Sequence, residues 1–120
     1  MNVKRILIID DDLELCEELS DSLRSEGYLV EHIQDPIKAE GLMRGGSYDA
    51  FLLDYKMPLL SGIDLLKKLK KDNVRRQILI ISGKPHVEVV LKEENLSDMV
   101  RGIIAKPIIF ETLLEKIREL

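Results

Sequence analysis

The sequence predicts a doubly wound α/β fold, a parallel sheet with helices on both faces. Three observations carry that prediction. Short solid apolar runs alternate with longer stretches of 3.6-residue apolar period. The short runs are unbroken rather than alternating, as in strands covered on both faces. Five such strand–helix units follow one another with no linker, repeat or low-complexity segment between them. With 120 residues, 45% of them apolar, the chain fits one domain, 1–120, with a buried core and no effector domain.

The elements follow in order. Ile6-Leu7-Ile8-Ile9 is the first strand, and Leu15, Cys16, Leu19 and Leu23 recur at helical spacing after Asp12, which reads as an N-cap. Gly27 sits where that helix stops. Tyr28 to Ile33 is the second strand. Pro36 opens a short helix carrying Ala39, Leu42 and Met43, which ends at Gly45-Gly46. Ala50-Phe51-Leu52-Leu53 is the third strand, ending at Asp54. Ser61-Gly62-Ile63-Asp64 has the form of a capping box and opens a helix with Ile63, Leu65, Leu66 and Leu69. Ile78 to Ile81 is the fourth strand, ending at Ser82-Gly83. The stretch Pro85 to Asp98 is expected to be helical through Val87, Val90 and Leu91, with no residue marking where it ends. Ile103-Ile104-Ala105 is the fifth strand, and a last amphipathic helix carries Phe110, Leu113, Leu114, Ile117 and Leu120. Right-handed crossovers close such units into a doubly wound sheet. Its ligand site lies beyond the carboxyl ends of the strands.

Composition removes several functions. A net charge of −4 gives no general attraction to nucleic acid or anionic lipid. The single cysteine, Cys16, excludes an internal disulfide framework and suits a reducing compartment. The apolar run at Ile6–Ile9 is too short for a signal peptide or a membrane span, so a cytoplasmic location is expected. Lys67, Lys68, Lys70, Lys71, Arg75 and Arg76 form a basic run without aromatic interleaving, read as a solvated face. His32 and His86 have no ligand-spaced partner.

The strand ends are more specific. Asp10-Asp11-Asp12 follows the first strand, Asp54 the third, Ser82 the fourth and Lys106 the fifth. The fold would aim acids, a hydroxyl and an ammonium at one rim. Clustered carboxylates repel, and burying them together requires a compensating cation. Hard oxygen donors at a partly open site suit Mg²⁺, or Mn²⁺. A carboxylate beside such an ion is placed to attack phosphorus. Positioning and charge neutralisation are then most of what the transfer needs.

The segments Ile6-Leu7-Ile8-Ile9-Asp10-Asp11-Asp12, Tyr48-Asp49-Ala50-Phe51-Leu52-Leu53-Asp54-Tyr55-Lys56-Met57-Pro58, Ser61-Gly62, Ile80-Ile81-Ser82-Gly83 and Lys106-Pro107 occur in order, each at its own element boundary. Together they resemble the receiver domain of two-component response regulators over essentially the whole chain. The resemblance implies a flavodoxin-like sheet of strand order 2-1-3-4-5 with five helices. It implies Asp54 as phosphoacceptor, Asp10 and Asp11 as the acidic pair holding Mg²⁺, and the backbone carbonyl of Lys56 as a further ligand. Asp11 would be the direct ligand and Asp10 would act through water. Ser82 takes the place of the switch hydroxyl and Lys106 that of its lysine, with the Lys106–Pro107 bond usually cis. Implied partners are a sensor histidine kinase or histidine phosphotransfer protein, and a downstream protein or a missing effector domain. The domain would not be an enzyme in its own right, but would take part in its own phosphoryl transfer and slow autodephosphorylation.

Three positions depart from the family pattern. Ile103 stands where relatives usually carry Tyr or Phe, and an aliphatic side chain offers no hydroxyl exchange between inward and outward positions. The segment Glu93–Met99 lacks the usual Gly-Ala pair before the fifth strand and is slightly long. Lys56 and Lys84, each two residues after a site residue, flank the path of an attacking water and are expected to modulate autodephosphorylation. A pseudo-receiver working without phosphorylation is the alternative. A flavin- or nucleotide-binding domain is disfavoured, because three aspartates, not a phosphate loop, follow the first strand.

Overall fold

The computed structural model describes residues 3–57 and 59–120; Pro58 of the quoted motif lies outside the described residues. Strands β1 (Arg5–Ile9), β2 (Leu29–Ile33), β3 (Ala50–Asp54), β4 (Ile78–Ser82) and β5 (Gly102–Ala105) alternate with helices α1 (Leu13–Ser25), α2 (Pro36–Arg44), α3 (Gly62–Lys71), α4 (Val87–Glu93) and α5 (Phe110–Arg118). All strands pair in parallel, in the order β2-β1-β3-β4-β5 expected from the sequence.

Solid apolar strands arise because alternate residues face different helical layers. Leu7, Ile9, Phe51, Leu53, Ile78 and Ile80 pack beneath α2, α3 and α4. Ile6, Ile8, Leu52, Leu79, Ile81 and Ile104 pack beneath α1 and α5, against Cys16, Leu23, Leu113 and Ile117. Each fully buried aliphatic side chain contributes on the order of 1.5–3 kcal/mol. The three central strands therefore form a rigid platform whose carboxyl ends share one rim.

Helix starts follow local chemistry. Asp12 caps α1 by accepting the Leu15 amide at 3.1 Å, and Asp35 caps α2 ahead of Pro36. Ser61 caps α3 by accepting the Asp64 amide at 3.1 Å. The Asp64 carboxylate accepts the Ser61 hydroxyl at 3.0 Å, so the expected box closes through the hydroxyl: the Asp64 side chain is one methylene shorter than glutamate.

Three helices end in the same way. Gly27, Asn73 and Asn95 have φ of 97°, 57° and 58°. The amides of the following residues, Tyr28, Val74 and Leu96, return to the carbonyls of Leu23, Leu69 and Leu91 at 3.2, 2.8 and 2.7 Å. These are Schellman ends, in which a left-handed residue lets two terminal carbonyls find donors. Asn95 sets the helix end that the sequence leaves open between Pro85 and Asp98. α4 stops at Glu93, and a single 3₁₀ turn, Ser97–Met99, fills the remainder. The length of this exit segment is thus a helix stop followed by a tight turn.

The basic run is largely paired within the chain. Lys67 meets Glu94 at 3.0 Å, Lys70 and Arg75 meet Asp98 at 3.0 and 2.7 Å, and Lys68 lies 3.6 Å from Glu40. Lys70 also donates to the Asn95 carbonyl, and Arg76 donates to the last carbonyls of α2, Met43 and Arg44, at 2.7 and 2.9 Å. The run joins α3 to its neighbours.

A left-handed Asn costs more than Gly and less than a β-branched residue. Asn95→Gly is expected to raise unfolding free energy by about 0.5–1 kcal/mol and Asn95→Val to lower it by about 1–2 kcal/mol. Urea unfolding of both variants checks this.

Candidate functional site

The platform fixes the backbone of each site residue. The Asp10 amide donates to Ile33 at 3.2 Å, Tyr55 to Ile81 at 2.9 Å, and Lys106 to Ser82 at 2.8 Å. Ladder bonds thus run past the strand ends and hold Asp10, Asp54, Ser82 and Lys106 side by side. The Lys106–Pro107 bond is cis.

Asp10 and Asp54 are buried, and Asp11 is exposed. One oxygen from each of the three carboxylates lies within 4.8 Å of the others. Lys106 Nζ donates to Asp54 Oδ1 at 3.2 Å and to Asp10 Oδ2 at 3.3 Å. The other Asp10 oxygen accepts the Asp12 amide at 3.0 Å, orienting that carboxylate toward the rim. Three carboxylates face one ammonium, leaving two unbalanced negative charges when all are ionised. Hard oxygen donors with that deficit match a divalent cation.

The electrostatic consequence is visible in the acidities. Burial, and next the charge of Asp10, push Asp54 up from 3.8 to about 6, with Lys106 opposing the rise. Burial likewise raises Asp10 against the pull of the Asp12 amide and Lys106. Burial would lower Lys106, but the carboxylates of Asp54 and Asp10 outweigh it and raise it.

Ser82 is buried, and its Oγ accepts the Lys84 amide at 2.9 Å. Its hydroxyl is therefore engaged in its own loop rather than with Asp54. Ile103 is half-buried, paired in register with Ile80 and packed on the α2–α4 side of the core. It is an aliphatic packing residue, in keeping with the absence of an aromatic ring. Lys56 and Lys84 are exposed, and both line a groove beside the site.

Two supporting residues escape a reading of the sequence for chemistry alone. Gly62 appears there only as part of a matching segment. A Cβ on Gly62 would lie 2.6 Å from the Asp54 carbonyl oxygen, so only glycine lets α3 begin against the end of β3. Cys16, expected as core packing, is buried and its Sγ lies 3.5 Å from the Asp10 carbonyl. Burial, partly opposed by Gln34, raises its thiol to about 11, which keeps it unreactive.

An acidic cluster paired with one lysine, at the carboxyl-end rim of a 2-1-3-4-5 parallel sheet, defines a doubly wound α/β domain with its ligand site at the topological switch point. The chain belongs to the response regulator receiver domain family, which it matches over residues 6–118. It is 32% identical over 123 residues to the response regulator MprA of Mycobacterium sp. (strain KMS), covering 97% of this chain and 50% of that one. The chain spans about half the length of the curated relatives it matches. Among solved structures, the CheY-like receiver domain protein of Methanospirillum hungatei JF-1 is 30% identical with a TM-score of 0.83, covering 98% of this chain and 93% of that one. The response regulator TrrA of Thermotoga maritima, in complex with Mg²⁺–BeF, is 27% identical with a TM-score of 0.81, covering 97% of both chains. Membership places the chain among the receiver domains of two-component signalling. No helix among the described residues is long and apolar enough to cross a membrane.

The raised pKa of Asp54 sets a pH signature. The folded state holds the Asp54 proton up to about pH 6, whereas the unfolded chain releases it near 3.8. This group's stability contribution is therefore full below about pH 4 and is lost as pH rises through 6. Asp54→Asn removes that loss. In metal-free buffer it is expected to be more stable than the parent by about 1–3 kcal/mol at pH 7.5, from a shift of roughly two units. The gain should shrink toward zero near pH 4, as followed by urea unfolding across that range.

Proposed function

We propose that the domain is a phosphoacceptor switch, taking a phosphoryl group from a phosphohistidine onto Asp54. The observation that carries this reading is the Lys106 ammonium shared between Asp54 and Asp10, at 3.2 and 3.3 Å, beside three clustered carboxylates. In the transfer, an Asp54 carboxylate oxygen bonds to phosphorus as the phosphorus–nitrogen bond breaks. The electron pair of that bond stays with the imidazole, which departs as neutral histidine after protonation. The product is an acyl phosphate.

Asp10, Asp11, Asp54 and the Lys56 carbonyl would hold Mg²⁺ or Mn²⁺, with Asp11 as direct ligand and Asp10 through water. The ion supplies charge neutralisation for the carboxylates and the incoming phosphoryl oxygens. Lys106 pairs with Asp54 before transfer and with a phosphoryl oxygen after it. Ser82 gives up the Lys84 amide and turns its hydroxyl to another phosphoryl oxygen. The Thermotoga relative was solved in complex with Mg²⁺–BeF, which supports a divalent cation as a ligand of this domain. The domain sustains this half-reaction without being an enzyme in the ordinary sense.

The donor is a sensor histidine kinase or histidine phosphotransfer protein in the cytoplasm. The output is a downstream protein or an effector domain. No direct nucleic-acid contact is assigned to this domain, because the basic run of α3 is paired within the chain. Ile103 carries the switch through packing rather than through a ring hydroxyl.

With acetyl phosphate and Mg²⁺, intact-mass spectrometry is expected to show one added phosphoryl group, absent from Asp54→Asn and from the parent in EDTA. Labelling of Asp54→Asn equal to the parent would refute the assignment. Mg²⁺ binding without any labelling would mark the pseudo-receiver instead.

Lys56 and Lys84 stand beside the path of a hydrolytic water. Lys56→Asn or Lys84→Ala is expected to change the half-life of the phosphorylated protein by at least about twofold, ~0.4 kcal/mol in barrier. Unchanged decay in both variants would remove the role.

A further inference from the structure

The β3–α3 and β4–α4 loops enclose a groove of about 460 Å³, within the size range of recognition clefts. Its apolar part comes from Tyr55, Ile63 and Val90, and its polar part from Lys56, Lys84 and His86. No acidic residue lines it. Among the described residues neither Lys56 nor Lys84 has a carboxylate within 4.0 Å, unlike Lys67 and Lys70 on α3 and Arg75 just after it. Of the nearby acids, Asp64 accepts the Ser61 hydroxyl, Glu88 lines a separate pocket with Arg101 and Lys116, and Asp10, Asp11 and Asp54 form the adjoining acidic site. The two ammonium groups give the groove itself positive sides around an apolar floor, next to that acidic site. Leu59, on the β3–α3 loop, has φ of 71° and is 89% exposed, which adds an unpartnered apolar side chain to the same loop.

We propose that this groove docks an acidic–apolar segment of a partner protein. Apolar side chains of that segment cover Tyr55, Ile63 and Val90, and its carboxylates pair with Lys56 and Lys84. The charge pattern selects the partner: exposed ammonium groups give orientation and on-rate, while the floor supplies the buried area. A nucleic acid would satisfy the two lysines but leave Ile63 and Val90 facing phosphate. The groove also adjoins the site through one residue. Lys84 contributes a side chain to the rim and donates its amide to Ser82 Oγ at 2.9 Å, so an occupant acts on the loop that holds the Ser82 hydroxyl.

The test is a titration of the ¹⁵N-labelled chain, without Mg²⁺, with two blocked decapeptides, one alternating leucine and glutamate and one alternating leucine and lysine. The acidic peptide is expected to shift the amides of Tyr55, Ser61, Ile63, Lys84 and Val90. The basic peptide should leave them in place. The double substitution Lys56→Gln with Lys84→Gln should weaken acidic-peptide binding at least about tenfold, and raising salt from about 0.05 to 0.5 M should weaken it further. The proposal is overturned if the acidic peptide produces no shifts, or if they cluster around Arg101, Ile103 and Lys116. It is equally overturned if the double variant binds as tightly as the parent, or if a ten-nucleotide deoxythymidine strand shifts the groove residues more than the acidic peptide does.

Discussion

Lys106 reaches from the end of β5 to within 3.2 Å of Asp54 and 3.3 Å of Asp10, and it is the only ammonium that balances those two buried carboxylates among the described residues. Two buried acids beside one another are costly unless charge is supplied. The fold supplies it only because β5 lies beyond β4, at the edge of the sheet, with the Lys106 amide tied to the Ser82 carbonyl. Strand order, register and site charge are thus one constraint. Shift β5 by a residue and the ammonium moves away from Asp54 while its neighbour turns to the other face.

The compensation is deliberately incomplete in physical terms. One ammonium against three carboxylates leaves Asp54 with its proton held to about pH 6 in the metal-free state. A site balanced fully by protein cations would leave little net attraction for a divalent ion. The residual negative charge here fits such an ion, which would offset the cost of ionising the buried Asp54. Stability and ligand affinity therefore oppose each other at the same residue, as at many functional sites.

The surroundings of the site hold this chain's departures from the family pattern. Ile103 packs on the core where a ring hydroxyl would be expected, and α4 is cut short by left-handed Asn95. Ion pairs from Lys67, Lys70 and Arg75 then tie the shortened segment to α3. The β4–α4 loop meanwhile carries Lys84, whose amide engages Ser82. The Ser82 hydroxyl is thereby tied to the β4–α4 loop by a hydrogen bond that does not involve residue 103.

Much of this was legible in the residues themselves. Solid apolar runs specify strands buried on both faces, and Asp, Ser and Pro mark helix starts through local hydrogen bonds, so Asp12, Pro36 and Ser61 could be assigned directly. The acids and the lysine of the site were legible too, because strand ends in a doubly wound sheet share one rim. The end of α4 was not legible, since an Asn at a helix stop resembles an Asn within a helix until its φ is known. Only the tertiary structure decided the shared ammonium, the 2.6 Å approach that requires Gly62, and the pairing of the α3 basic run. These depend on distances between residues far apart in the chain. Local propensity fixes elements, but packing alone fixes which charges meet.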